Sequence, residues 1–234
     1  MKGIYLMGGY PDSKTFLNEV EAVSDAGYDF IEIGIPFNDP VADGPVIAEA
    51  GLAAIKNGTT AESILSDIKK ISALPVKKYI MTYANIINAY GKEKFSKDVS
   101  GLIQGLIIAD LPNRMRSIFS GTALTVPIIP FATMETRDKD LDLLCEAGGD
   151  FIYFVALRGI TGSRSNLDDP LIREKIEMIR KKSSKPIVIG FGIKDSADVK
   201  KAMLLGNGFV IGTEAVARQK DLISFKKYIH EVIN

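Results

Sequence analysis

Eight short apolar runs punctuate the chain: "GIYLMG" from Gly3, "DFIEIG" from Asp29, "KYIMTY" from Lys78, "GLIIAD" from Gly105, "VPIIPF" from Val126, "DFIYFV" from Asp150, "PIVIG" from Pro186 and "GFVIG" from Gly208. Each is short and rich in β-branched and aromatic residues, as a strand buried on both faces requires. Between the runs the period changes. Leu141, Leu144 and Cys145, then Ile172, Ile176 and Ile179, then Leu222, Phe225, Ile229 and Val232 recur at spacings of three and four, which predicts helices buried along one stripe. Strand and helix signals alternate, so the chain reads as βαβ units around a parallel sheet.

Eight such units in 234 residues have the count and length of an α/β (β/α)8 TIM barrel, although an open doubly wound sheet has the same local pattern. An internal echo favours the barrel. "DAGYDFIEI" from Asp25 matches "EAGGDFIYF" from Glu146, placing related residues on the second and sixth strands, half of eight apart. In a barrel, even-numbered strands fill the same interior layers, so this register turns Glu32 and Tyr153 inward, facing each other. No linker or low-complexity stretch interrupts the series, and residues 1–234 are read as one domain.

Composition removes several function classes. Lys+Arg 29 balances Asp+Glu 29, with no basic cluster, so the footprint of a nucleic-acid or membrane binder is missing. One cysteine, Cys145, cannot make an internal disulfide, and one histidine, His230, excludes catalysis that depends on a histidine triad or a zinc cage. No apolar stretch approaches membrane-spanning length and no leader pattern opens the chain, so a soluble, cytoplasmic protein is expected.

The polar residues at the C-terminal ends of the strand runs are where a barrel enzyme would work. Glu32 stands out because it sits inside an apolar run, and a carboxylate in an apolar core costs several kcal/mol unless paired or protonated. It is either a structural hydrogen-bonding residue or a working acid. After it come Asp39 and Asp43 in a Pro-rich loop, then Tyr83 and Asn85, Asp110 and Tyr153. Each has an ordinary reading as turn former, helix cap or core residue; their convergence on one face is what suggests a site. Glycines end the last two runs, in "GFG" from Gly190 and "GTE" from Gly212, where backbone N–H groups can approach an anion and a helix start adds its dipole. Gly190, Gly192, Gly212 and Thr213 are the expected phosphate cradle. Glu214 is an awkward neighbour for a dianion and is expected to point away.

The block "IEIGIPFNDPVADGPVI" from Ile31 resembles the signature of the tryptophan synthase alpha chain family, and the likeness continues in order through "YAN", "GLIIADLP", "RGITGSR", "GFGI" and "IGTEAV". The resemblance implies a (β/α)8 barrel that cleaves indole-3-glycerol phosphate to indole and glyceraldehyde 3-phosphate, as the alpha subunit in tryptophan biosynthesis. It implies Glu32 as general acid/base, an ionised Asp43 at the indole N–H, and Tyr153 orienting the glutamate. Burial should set the pKa of Glu32 above that of Asp43. Tyr5, Met81, Ile107 and Phe191 are expected to hold the indole ring, with Tyr83 and Asp110 supporting. A mobile loop from Ala156 to Asn166 is expected to close over substrate, with Thr161 near Asp43 and Gly162 permitting the movement. Pro36, Asn38, Asp39 and the segment after Asn85 are implied as the docking surface for a pyridoxal-phosphate beta chain, in an alpha2-beta2 heterotetramer. No lysine ends a strand, so this chain itself is expected to hold neither pyridoxal phosphate nor a Schiff base; no other cofactor and no metal are expected.

The sequence departs from the family pattern in three places. Ala156-Leu157-Arg158 replaces the usual Ser-Arg, Tyr10 stands where an acidic residue is common, and the usual N-terminal helix is missing, which predicts a more open lower end. Two other functions fit the same residues. One is a transferase in which Asp39, Asp43 and Asp110 hold Mg²⁺; the other is a catalytically weak allosteric subunit.

Overall fold

The computed structural model describes residues 1–119, 124–155 and 167–234. The eight strands are all parallel: β1 (Lys2–Met7), β2 (Phe30–Gly34), β3 (Lys77–Thr82), β4 (Gly105–Ile108), β5 (Phe131–Thr133), β6 (Ile152–Val155), β7 (Ile187–Ile189) and β8 (Gly208–Ile211). They follow the order β4-β3-β2-β1-β8-β7-β6-β5. Leu106 and Ile128 join the two ends through a parallel bridge, where Leu106 N–H donates to the Pro127 carbonyl at 2.9 Å and Ile129 N–H to the Leu106 carbonyl at 2.8 Å. The ring therefore closes, and the open-sheet alternative falls.

The fifth strand differs from its predicted span, which began at Val126. Pro127 and Pro130 have no N–H to give a ladder, so contact there is reduced to one bridge and regular pairing starts at Phe131.

Ten α-helices wrap the ring among the described residues: α1 (Ser13–Asp25), α2 (Pro45–Lys56), α3 (Ala61–Lys70), α4 (Ala84–Tyr90), α5 (Lys92–Val99), α6 (Asp138–Glu146), α7 (Pro170–Lys182), α8 (Ser196–Leu205), α9 (Thr213–Arg218) and α10 (Leu222–Glu231). Their starts follow local chemistry. Asp12 caps α1 by accepting from Thr15 N–H at 2.9 Å, Pro45 opens α2 at a position with no N–H to lose, and Thr60 with Ser63 forms a reciprocal box on α3. The stripe Ile172, Ile176 and Ile179 on α7 is fully buried, as are Leu141 and Leu144 on α6.

Two apolar layers result from the strand period of two. Ile4, Leu6, Ile31, Ile33 and Ile80 point outward under the helices, while Tyr5, Phe30, Tyr79, Ile107, Phe151, Tyr153, Val188 and Val210 fill the interior. At the lower end Phe30, Tyr79 and Phe151 form an aromatic plug with centroids 5.3–5.5 Å apart, and Met1 packs on the same cluster. The lower end is thus filled, which corrects the expectation of an open one.

Candidate active site

Above the plug the interior becomes polar. Glu32 has Tyr5 and Tyr79 as its register neighbours on β1 and β3, so β2 carries it on the inner face of the ring. It is 0% exposed. Tyr153, on β6, donates from its hydroxyl to Glu32 Oε2 at 3.2 Å, and Glu32 Oε1 is buried with no hydrogen-bond partner. Burial drives the pKa of this carboxyl well above the ordinary value, and the Tyr153 bond offsets only part of the shift. Burial therefore favours the protonated form of Glu32.

Two glycines make room for the tyrosines. A Cβ at Gly190 would overlap the Tyr153 ring, and one at Gly34 would overlap the Tyr5 hydroxyl end. Gly190 thus makes room for the Tyr153 ring, a role the sequence reading did not include, and its N–H is given to the Phe154 carbonyl at 2.9 Å.

Asp43 sits higher, in the loop after β2, half-buried. Tyr83 fixes that loop: its hydroxyl accepts from Ala42 N–H at 3.2 Å and hydrogen-bonds the Asp43 carboxylate, while its ring lies 5.0 Å from Phe37. Burial raises the Asp43 pKa as well, but by less than for Glu32, in the order expected. Asp43 remains the stronger acid of the two. The pair thus has the division of labour that proton transfer at two points of one substrate requires.

The other expected residues divide. Met81 and Ile107 are register neighbours on the inner face, Ile107 fully buried and Met81 partly open to the mouth, and Phe191 is half-buried after β7. Asp110 is exposed and accepts from Ala84 N–H at 2.8 Å, at the start of α4. With Asp110 so placed, Asp39, Asp43 and Asp110 do not form a cation cage; among the described residues no three acidic, histidine or cysteine side chains cluster to hold a metal. Gly192 has φ +80°, a conformation that favours glycine. A Cβ at Gly212 would meet only Ile47 Cδ1, at 3.9 Å, and α9 begins directly after it with no side-chain cap. The helix after β7 offers no such end, because Asp195 already accepts from Ala197 and Asp198 N–H. Glu214 is turned to Arg218 at 2.7 Å, away from the Gly212 turn. Of the expected docking residues, Asn38, Asp39 and Asn85 are exposed, but Pro36 is buried within the chain, because the strand direction continues past Gly34 and packs Ile35 and Pro36 inward. Thr161, Gly162 and the substitution at Ala156-Leu157-Arg158 lie outside the described residues. Sequence reasoning missed the aromatic plug, although the inward parity of Tyr79 with Met81 carries that signal. It also missed a buried polar contact between Glu19 and Gln219.

A closed parallel barrel with a buried carboxyl on its inner face and a second carboxyl at the C-terminal mouth defines the class: a (β/α)8 barrel with an enzyme-type site. The family model for the tryptophan synthase alpha chain matches residues 4–232. The chain is 37% identical to the tryptophan synthase alpha chain of Staphylococcus carnosus over 97% of its own length and 92% of that protein. It is 34% identical to that of Thermotoga petrophila over 92% and 90%. Among solved structures it superposes on tryptophan synthase subunit alpha from Campylobacter jejuni with a TM-score of 0.88 at 29% identity, covering 99% of this chain and 95% of that one. A chain of the tryptophan synthase α2β2 complex of Pyrococcus furiosus superposes equally, at TM-score 0.88 and 26% identity over 100% and 97%. This chain belongs to the tryptophan synthase alpha chain family.

Proposed function

We propose that this chain, as a single barrel domain, performs the alpha reaction of tryptophan synthase: retro-aldol cleavage of indole-3-glycerol phosphate into indole and glyceraldehyde 3-phosphate. The observation that supports it most is the Glu32 carboxyl, fully buried, its pKa raised by that burial, and bonded through one oxygen only. Glu32 protonates indole C3 while Asp43 takes the ring N–H proton, giving the indolenine. The bond from C3 to the glycerol carbon then breaks, its electron pair returning to the ring. Glu32, now a carboxylate, removes the adjacent hydroxyl proton as the aldehyde forms, and Asp43 returns its proton to the indole nitrogen. Protons and electrons balance without an added acid.

Tyr153 holds Glu32 Oε2 and leaves Oε1 for the substrate. Tyr5, Met81 and Ile107 supply the apolar wall for the ring. The phosphate belongs at Gly192, Gly212 and Thr213, where the chain offers glycine backbone and the uncapped start of α9. Exposed Asn38, Asp39 and Asn85 are the side chains offered to a pyridoxal-phosphate beta chain in an α2β2 assembly, with Pro36 supporting their loop from within. Among the described residues no helix is long and apolar enough to cross a membrane, and the balanced charge and unpaired cysteine favour the cytoplasm.

The test is direct. Purified chain given indole-3-glycerol phosphate, with no added metal, releases indole at a rate that rises when a beta chain is added. No indole under either condition removes the reading.

A further inference from the structure

The ladder between β1 and β8 is shorter than the one between β1 and β2. β8 pairs with β1 only from Lys2 to Ile4, whereas β2 pairs as far as Met7. Backbone groups of successive strand residues point to alternate neighbours. Phe209 N–H reaches the Met1 carbonyl on one side and Gly8 N–H the Gly34 carbonyl on the other, so odd residues of β1 face β8. Met7 is odd, and by its level β8 has turned off into Gly212 and α9.

Its two backbone groups are nevertheless satisfied. Met7 N–H donates to Gln219 Oε1 at 2.8 Å, and Gln219 Nε2 donates to the Met7 carbonyl at 3.2 Å. The same Nε2 reaches the Tyr10 carbonyl at 3.2 Å and Glu19 Oε2 on α1 at 2.8 Å. Gln219 and Glu19 are both 0% exposed. A primary amide has the donor and acceptor of a peptide group, so this side chain stands in for the missing strand. Gln219 is also the residue on which α9 ends, and α9 starts at Gly212 and Thr213.

We propose that Gln219 is a positioning residue for the phosphate end of the substrate: its amide continues the β8 ladder along β1 where β8 turns away, fixing α9 against the barrel mouth, and Glu19 fixes the amide. This rests on the functional reading above, which places phosphate at Gly212 and Thr213. Glu19 Oε2 accepts from the amide, and its Oε1 is buried without a partner. Burial moves its pKa up to about 8, with the Gln219 bond opposing and the charge of Asp12 adding. The other charges nearby are engaged elsewhere, Lys220 with the Tyr10 hydroxyl and Arg218 with Glu214.

Gln219→Leu should raise KM for indole-3-glycerol phosphate and the dissociation constant of glycerol 3-phosphate by at least ~10-fold, with kcat within ~3-fold. A merely structural residue lowers Tm without that split, so an unchanged KM and probe affinity in folded protein overturns the proposal. Gln219→Glu, which keeps an acceptor for Met7 N–H and loses the donor, serves where the leucine variant does not fold, and unchanged KM and probe affinity in it likewise overturn the proposal. Wild-type chain that releases no indole would instead sink the functional reading and leave this comparison of probe affinities standing.

Discussion

Glu32 and Glu19 are alike by every local measure. Each is fully buried, each has one oxygen bonded and one without a partner, and burial raises the pKa of each. They differ in where the free oxygen lies. Glu32 stands on β2 inside the ring, at the end to which the strands open, beside Tyr153 and below Asp43. Glu19 stands on α1, outside the ring, clamped to a glutamine that serves backbone. A buried acid marks chemistry only when the fold gives it a place for a reacting atom; otherwise the same acid is a clasp.

The largest expected effect separates the two by turnover. Glu32→Gln should lower kcat for indole release by at least ~10², whereas Glu19→Gln should leave kcat within ~3-fold. Measured side by side, equal losses would dissolve the distinction.

Next comes packing at the acid. Gly190→Ala places a methyl where the Tyr153 ring lies, so the ring must move and release Glu32 Oε2. Overpacking of this kind costs about 1–3 kcal/mol, and a ~10-fold fall in kcat with a lowered Tm is expected. A variant with unchanged kcat would detach Tyr153 from the working of Glu32.

The pH profile sharpens the pairing of Glu32 with Asp43. Asp43 works as an anion, so kcat/KM falls as pH drops through its raised pKa; Glu32 works as an acid, so kcat/KM falls as pH rises through its own, higher pKa. Asp43→Asn should abolish the acid limb. A profile with no acid limb in the wild-type chain would remove Asp43 from proton transfer.

The smallest effect is thermodynamic. The Glu19 pKa is raised on folding, so its contribution to stability is complete below the unfolded value near 4.5 and is lost as pH rises through about 8. Each unit of such a shift corresponds to about 1.4 kcal/mol. Glu19→Gln should therefore flatten the fall in Tm between pH 5 and 8 (~) that the wild-type chain shows, and an unchanged slope would place the titration elsewhere.

Much of this was legible in the chain because it rests on periodicity. Alternation of short apolar runs with helical stripes specifies a parallel α/β fold, and the echo of "DFIEI" in "DFIYF" sets the inward face of β2 and β6, which brings Glu32 to Tyr153. What period alone cannot show is how one side chain competes for another's space. Gly190 reads as an anion glycine, and the room it leaves for the Tyr153 ring shows only in the structure. Asp110 reads as a strand-end acid, and its bond from Ala84 N–H shows only there, while Pro36 looks like surface until its loop packs inward. The Glu19 and Gln219 contact joins residues 200 positions apart through a gap in the ladder, and no local pattern announces it.

The most direct test of the central claim is single-turnover cleavage of indole-3-glycerol phosphate by the wild-type chain and by Glu32→Gln at neutral pH. The expected result is indole from the wild type and a rate at least ~10² slower from the variant, with the substrate bound about equally well by both. Equal rates would show that the acid on the barrel axis takes no part in breaking the bond.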